Sequence, residues 1–112
     1  MSETVFSRII KRELPAEIVF ENENIIAIKD IAPHAPVHLL IIPKKAFADL
    51  QSVPPEDLHL IGEVVEVARK LAEEFGVADG YRLLTNCGAP AGQTVFHLHF
   101  HLLGGRSLGG LG

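Results

Sequence analysis

The sequence predicts an α+β fold: a five-stranded antiparallel meander sheet with one long and one short helix, in the order αβββαββ. Three features lead to this prediction: five short strand-like runs, one long segment with apolar residues at steps of three and four, and a short amphipathic N-terminal segment. Strands joined mainly by hairpins, with helices inserted between them, favour this class. The 112 residues suffice for one hydrophobic core, so we expect a single domain over residues 1–112.

The first half of the chain contains the short helix and three strands. Thr4 is the expected N-cap of a helix whose apolar stripe ends before Pro15. Strand-like runs follow at 18–20, 25–29 and 37–42. The last of these is apolar at almost every position, which is typical of a strand covered on both faces.

The long helix is predicted from the apolar spacing between residues 58 and 75. Pro54 and Pro55 suit a first helical turn, Ser52 is a nearby cap candidate, and Gly76 suits a left-handed C-terminal cap. The breadth of the apolar surface is compatible with a second subunit. The predicted stripe contains Leu58, Ile61, Val65, Ala68, Ala72 and Phe75, and it is widened by Val64, Val67 and Leu71.

The fourth strand is predicted at 81–85 and the fifth at 94–103, where imidazole and apolar side chains alternate. A period of two places His97, His99 and His101 on one face of that strand. The other face, predicted to enter the core, carries Phe96, Leu98, Phe100 and Leu102. Three neighbouring imidazoles need polar partners, so we expect the histidine face to line a concave site.

Two kinds of chemistry could use these histidines. Along a strand, His97 and His101 are about 13 Å apart at the backbone, too far for one zinc ion to collect all three. A zinc site would therefore use two members of the run together with His38. A metal-free imidazole can instead act as a nucleophile, because its pKa near ~6.5 leaves one nitrogen lone pair free around neutral pH. The glycine-containing loop at 86–92 would let backbone amides approach an anion.

Composition excludes several classes of partner. The net charge is −4 and no basic run exceeds Lys44-Lys45, which argues against a nucleic-acid polymer. No apolar run approaches the ~20 residues that span a bilayer, so we expect no membrane role. The single cysteine Cys87, and an N-terminus without a secretion signal at residues 1–3, predict a cytoplasmic protein.

Residues 92–106, which contain the pattern His-x-His-x-His with apolar x, resemble the signature of the histidine triad (HIT) family. The similarity extends to residues 6–11, 30–38, 42–45 and 81–86. It is strongest to the histidine triad nucleotide-binding proteins, which are purine nucleoside phosphoramidases. The resemblance implies a homodimer whose two sheets join, AMP or GMP conjugates as substrates, and no cofactor or metal.

The resemblance also implies a role for each matching residue. His99 would attack the α-phosphorus and form a covalent nucleotidyl-histidine, His101 would contact phosphate oxygens, and His97 and His38 would orient the nucleophile. Asp30 would bind the ribose hydroxyls. The remaining substrate contacts would be Ile31 beside the sugar, Phe6, Ile9 and Leu14 against the base, and Asn86, Gly92, Gln93 and Thr94 near the phosphate and leaving group.

Two alternatives remain open at this stage. One is a zinc-binding protein that uses His38 and two triad histidines, and the other is a nucleotide-binding module with negligible turnover. His34 and His59 receive no role, because both are expected to be solvated.

Overall fold

The computed structural model describes residues 3–112; Met1 and Ser2, part of the N-terminal segment expected to lack a secretion signal, lie outside the described residues. The helices and strands follow the predicted order αβββαββ. They are α1 (Val5–Ile10), β1 (Ile18–Glu21), β2 (Ile25–Lys29), β3 (Val37–Pro43), α2 (His59–Glu74), β4 (Tyr81–Leu84) and β5 (Phe100–Gly104). Within residues 3–112, neither helix is long and apolar enough to cross a membrane.

The five strands form one antiparallel sheet in the order β1-β2-β3-β5-β4. The chain therefore makes a meander through β3, and β5 then inserts between β3 and β4. Among the described strands, β4 pairs only with β5, so it forms one edge of the sheet. The predicted α+β meander sheet is confirmed.

The two faces of the sheet pack against different helices. One face packs against α2 through a cluster that includes Leu39, Ile41 and Leu102. On the other face, Phe6 and Ile9 of α1 pack on the β2–β3 half, against Ile26, Ile28, Leu40 and Ile42. Paired residues of antiparallel strands point to the same side. The pairing of Leu40 with His101 therefore places His101 on the α1 side of the sheet.

Helix α1 is short but fixed at its start by a reciprocal cap. The Thr4 hydroxyl accepts from the Ser7 amide at 3.1 Å, and the Thr4 amide donates to the Ser7 hydroxyl at 2.9 Å. The helix ends at Ile10, and Arg12 follows with a φ of 64°. The predicted N-cap is confirmed, and the helix ends well before Pro15.

The start and the buried stripe of α2 differ from the prediction. The prolines lie in or beside a separate 3-10 turn (Pro55–Asp57), and the helix begins at His59. Ser52 belongs to another 3-10 turn (Leu50–Ser52), whose cap is Asp49, so it does not cap α2. The buried residues of the helix are Leu60, Val64, Val67, Ala68, Leu71 and Ala72.

The predicted stripe was therefore rotated around the helix axis. Val64 and Leu71 are fully buried against the sheet, whereas Leu58 and Val65 are 50% and 42% exposed. The residues that we expected to widen the stripe form its centre.

Strand β5 begins at Phe100, six residues later than the predicted start at Thr94. Its ladder with β3 ends at the pair Ile41–Phe100. Pro43, near which the ladder would continue, has no N–H to donate, and its carbonyl instead accepts from the His97 ring at 2.8 Å. Phe96, predicted to be core, is 49% exposed because it precedes the strand, while Leu98 is buried as expected.

Candidate active site

Two cavities meet at His99 on the α1 side of the sheet. The apolar cavity, of about 360 Å³, is lined mainly by α1, β2 and the segment after α1. The polar cavity, of about 420 Å³, is lined by His34, His38 and residues of the loops and strands around β4 and β5. Both volumes are in the range of small-molecule sites. Asp30, Thr94, His99 and His101 line both cavities.

The ring of His99 is held in one tautomer by the main chain. Its Nδ1 lies 2.7 Å from the carbonyl oxygen of His97, and a carbonyl can only accept, so Nδ1 carries the proton. In the neutral ring, the lone pair therefore lies on Nε2. The edge of Phe6 packs against this imidazole, with ring centroids 4.8 Å apart. The ring thus presents an unprotonated nitrogen from a fixed position.

The segment around His99 is anchored outside the sheet. The Leu98 amide donates to the Phe47 carbonyl at 2.7 Å, and the Thr85 hydroxyl donates to the His99 carbonyl at 2.8 Å. These bonds replace the strand pairing that was predicted for residues 94–99. They fix the backbone that carries the imidazole.

His97 lies on the same side of the sheet as the other two histidines, because the Phe6 ring of α1 packs near both His97 and His99, with ring centroids 6.3 and 4.8 Å apart. Its side chain is 1% exposed, and it lines neither the apolar nor the polar cavity of the described chain. Its Nε2 donates to the Pro43 carbonyl, and its Nδ1 has no hydrogen-bond partner among the described residues. His97 therefore ties the histidine segment to the end of β3, and its carbonyl orients His99.

His38 and His101 form a hydrogen-bonded pair whose tautomers follow from one backbone amide. The amide of His34 donates to Nδ1 of His38 at 3.0 Å, so His38 carries its proton on Nε2. That proton is donated to Nδ1 of His101 at 3.0 Å. The proton of His101 is consequently on Nε2, where it is available as a hydrogen-bond donor.

Burial lowers the pKa of all four of these histidines. For His101, burial and the nearby His99 and His38 lower the pKa to about 4, although Asp30 opposes the shift. A second proton on His101 would also lie on Nδ1, where its N–H would face the Nε2–H of His38 and the hydrogen bond between the two rings would be lost. All four imidazoles are therefore neutral near pH 7, as a nucleophile and its donors require.

Asp30 lies at the end of β2 with each carboxylate oxygen near a donor. Oδ1 accepts from the Ala32 amide at 2.8 Å, and Oδ2 lies 3.5 Å from Nε2 of His38. A carboxylate has about four lone-pair sites, so further hydroxyl donors can still be accepted. Ile31, next in the chain, is fully exposed beside the apolar cavity.

The structure brings most of the predicted substrate residues to these cavities. Phe6, Ile9, Leu14 and Ile31 line the apolar cavity. Asn86 and Gly92 line the polar cavity, and Thr94 lies between the two. The predicted base, sugar and phosphate contacts are thus distributed along one continuous site.

Gln93 and its loop are arranged differently from the prediction. The Gln93 side chain is buried: its Oε1 accepts from the Gly88 amide at 2.8 Å, and its Nε2 donates to the Ala48 carbonyl at 2.8 Å. The amides of Ala91 and Gly92 donate within the same turn. These amides are already bonded within the loop, so they are not free to bind an anion.

Sequence reasoning missed several lining residues. His34, Leu84 and Leu103 line the polar cavity, and Ile28, Leu40 and Val95 line the apolar one. The pairing of Leu84 with His101 explains its position, but that register could not be read from one sequence. His34 lies in the proline-containing loop, where no periodicity indicates direction.

A metal ion could find ligands at one place among the described residues. Atoms of Asp30, His38 and His101 lie within 4.8 Å of one another. This set contains only one triad histidine, whereas the zinc alternative required two. An ion there would also have to replace the hydrogen bond between His38 and His101.

Comparison with known proteins agrees with this geometry. The HIT domain model matches residues 11–108. A HIT-like protein of Chlamydia pneumoniae is 56% identical over 108 residues, covering 96% of this chain and 98% of the relative. The purine nucleoside phosphoramidase of Escherichia coli K12 is 47% identical over 108 residues, covering 96% and 91%.

A solved structure is equally similar. The HIT family hydrolase from Clostridium thermocellum superposes with a TM-score of 0.94 at 52% identity, covering 99% of this chain and 97% of that one. The match to the family model and the superposition on this structure therefore agree. The chain belongs to the HIT family and is a hydrolase of that family.

Proposed function

We propose that this hydrolase cleaves the α-phosphate bond of purine nucleoside phosphoramidates or acyl-nucleotides through a nucleotidyl-His99 intermediate and releases the nucleoside monophosphate. The observation that carries the proposal is the hydrogen bond from His99 Nδ1 to the His97 carbonyl, which leaves Nε2 as the free nucleophilic nitrogen. The name of the Escherichia coli relative supports the purine phosphoramidate class.

The nucleoside binds in the apolar cavity in this proposal. Phe6, Ile9 and Leu14 offer apolar surface to the base. Asp30 accepts the ribose hydroxyls, and Ile31 lies beside the sugar. The α-phosphorus then lies at His99, where the two cavities meet.

In the first step, the lone pair on Nε2 of His99 forms a bond to phosphorus. The bond from phosphorus to the leaving nitrogen or oxygen breaks, and its electron pair leaves with that atom, which takes a proton from water in the open polar cavity. The ring becomes positively charged while Nδ1 remains protonated, and the His97 carbonyl stabilises that charge. Nε2–H of His101 and the Thr94 hydroxyl donate to the phosphate oxygens.

In the second step, water attacks phosphorus and loses a proton to solvent. The bond between phosphorus and Nε2 breaks, and its electron pair returns to the imidazole. The protonated Nδ1 makes the ring a good leaving group, so one difficult displacement is divided into two easier ones. The free enzyme and a nucleoside monophosphate result.

The test is release of AMP from an adenosine phosphoramidate in the presence of a chelator. We expect turnover by the unmodified protein and a loss of at least about 10³-fold in His99→Ala. His59→Ala, which replaces an exposed histidine at the start of α2, is the matched control and should keep full activity. Undiminished turnover by His99→Ala would refute the nucleophile, and dependence on added zinc would favour a metal at Asp30, His38 and His101.

A homodimer is also part of the proposal. The edge strand β4 has no partner on its outer side within the described chain, so a second copy could extend the five strands to ten. The family resemblance favours this arrangement. Sedimentation at several protein concentrations tests it, and a mass of one chain at every concentration would contradict it.

The proposed location is the cytoplasm, with no nucleic-acid polymer or membrane as partner. The net charge of −4 and the single Cys87 favour this location. Fractionation of the cells that make the protein, followed by detection in each fraction, tests the expectation.

A further inference from the structure

The polar cavity adjoins the apolar cavity at His99. If the nucleoside occupies the apolar cavity, as proposed above, the leaving group must extend into the polar one. Residues that line only the polar cavity include His34, Leu84, Asn86 and Leu103. They are the residues that can distinguish one leaving group from another.

The main chain of His34 is fixed by two hydrogen bonds, whereas its ring is free to bind a ligand. Its amide donates to His38 at 3.0 Å, and its carbonyl accepts from the Arg106 guanidinium at 2.7 Å. Its imidazole lies 5.7 Å from the His38 ring, and the ring nitrogens have no hydrogen-bond partner in residues 3–112. The side chain is exposed. A positioned donor therefore stands at the mouth of the cavity.

A permanent positive charge and an imidazole donor at His34 can bind a negatively charged group. Arg106 places a permanently charged guanidinium beside the His34 carbonyl. The carboxylate of Asp30, which lines the same cavity, accepts from the Ala32 amide and lies close to His38. An imidazole donates a hydrogen bond in either protonation state. Leu84 and Leu103 add apolar wall to the same cavity.

We propose that His34 is a specificity-determining residue that favours leaving amines carrying a carboxylate beside an apolar group, as an amino acid does. This inference rests on the proposed phosphoramidase function. The ring donates to the carboxylate of the leaving group, Leu84 and Leu103 contact its apolar part, and His99 attacks the phosphorus. No bond to His34 forms or breaks.

The test compares two substrates that differ only in charge: the adenosine 5′-phosphoramidates of alanine and of alaninamide. The measured quantity is the ratio of kcat/KM for the carboxylate substrate to kcat/KM for the carboxamide. We expect His34→Ala, which removes the donor, to lower this ratio about threefold to tenfold, the size of an exposed charge-assisted hydrogen bond. His34→Arg should restore it. Both variants keep the backbone amide that orients His38.

His59→Ala is the matched control, because it makes the same replacement at an exposed histidine on α2, and it should leave the ratio unchanged. A merely structural role for His34 would lower kcat/KM for both substrates by the same factor. The ratio would then stay constant, which would overturn the inference. If the unmodified protein hydrolyses neither substrate, the proposed function itself fails. If it hydrolyses both with a ratio that His34→Ala does not change, only the role of His34 fails.

Discussion

The four histidines at the site form two pairs with different hydrogen-bond partners. His97 and His99 lie before β5, and each ring nitrogen that is bonded donates to a main-chain carbonyl. His38 and His101 lie on paired strands, and their rings bond to each other. In the first pair, main-chain carbonyls hold the rings and fix the orientation of the nucleophile His99. In the second pair, the hydrogen bond from His38 leaves the Nε2–H of His101 free to donate. Replacing members of each pair should therefore have different consequences.

The largest effect on stability is expected for His97→Ala. The change creates a cavity at a fully buried site and leaves the Pro43 carbonyl without its donor. We expect a loss of about 3 kcal/mol in the free energy of unfolding, measured by urea denaturation. His97→Gln, which keeps an amide donor, should recover part of this loss. A destabilisation no larger than that of His59→Ala would contradict the structural role of His97.

His101→Ala should affect stability less than His97→Ala does, and its main effect should be on catalysis. The side chain is only half-buried, so stability should fall less than in His97→Ala, but the donor to the phosphate oxygens is lost. We expect kcat to fall about 10²-fold, measured by AMP release under saturating substrate. If kcat stays within a factor of two, the hydrogen bond from His38 to His101 has no part in the reaction.

Lowering the pH should have a smaller effect on the stability of the fold. Because the folded-state pKa values of these histidines lie below the unfolded value near ~6.5, the unfolded chain binds protons first as the pH falls. Stability should thus be constant in this respect above about pH 6.5 and decrease from there towards pH 4, where His101 titrates.

The pH dependence of the unfolding free energy can be compared between the unmodified protein and His101→Gln. We expect the decrease in unfolding free energy between pH 6.5 and 4.5 to become smaller by about 1 kcal/mol, after allowance for solvent screening of a half-buried ring. Urea denaturation at each pH provides the values. An unchanged slope would show that His101 is not held neutral by its surroundings.

The sequence predicted the sheet, the helix order and the participating histidines, because these depend on local patterns. Alternation identified the histidine segment, and the capping residue Thr4 marked the start of α1 correctly. The α2 stripe was misplaced because apolar residues surround much of the helix, so spacing alone did not decide between Val65 and Val64. Only packing against the sheet selects Val64.

The errors in the site have a similar origin. A period of two placed the histidines on one side correctly, but it assumed that the strand continues, whereas the ladder ends at Phe100 and His97 donates to the Pro43 carbonyl instead of lining either cavity. Gln93 was expected near the phosphate, yet its amide closes its own loop. His34 gave no periodic signal at all. These features depend on contacts between distant segments, which no local pattern contains.

The most direct test of the central claim is the mass of the protein quenched during turnover of an adenosine phosphoramidate. The account predicts a transient increase equal to one adenylyl group, located by fragmentation on His99 and absent from His99→Ala. An adduct on another residue, or steady turnover by a slow substrate with no adduct at any time, would contradict nucleophilic attack by this imidazole.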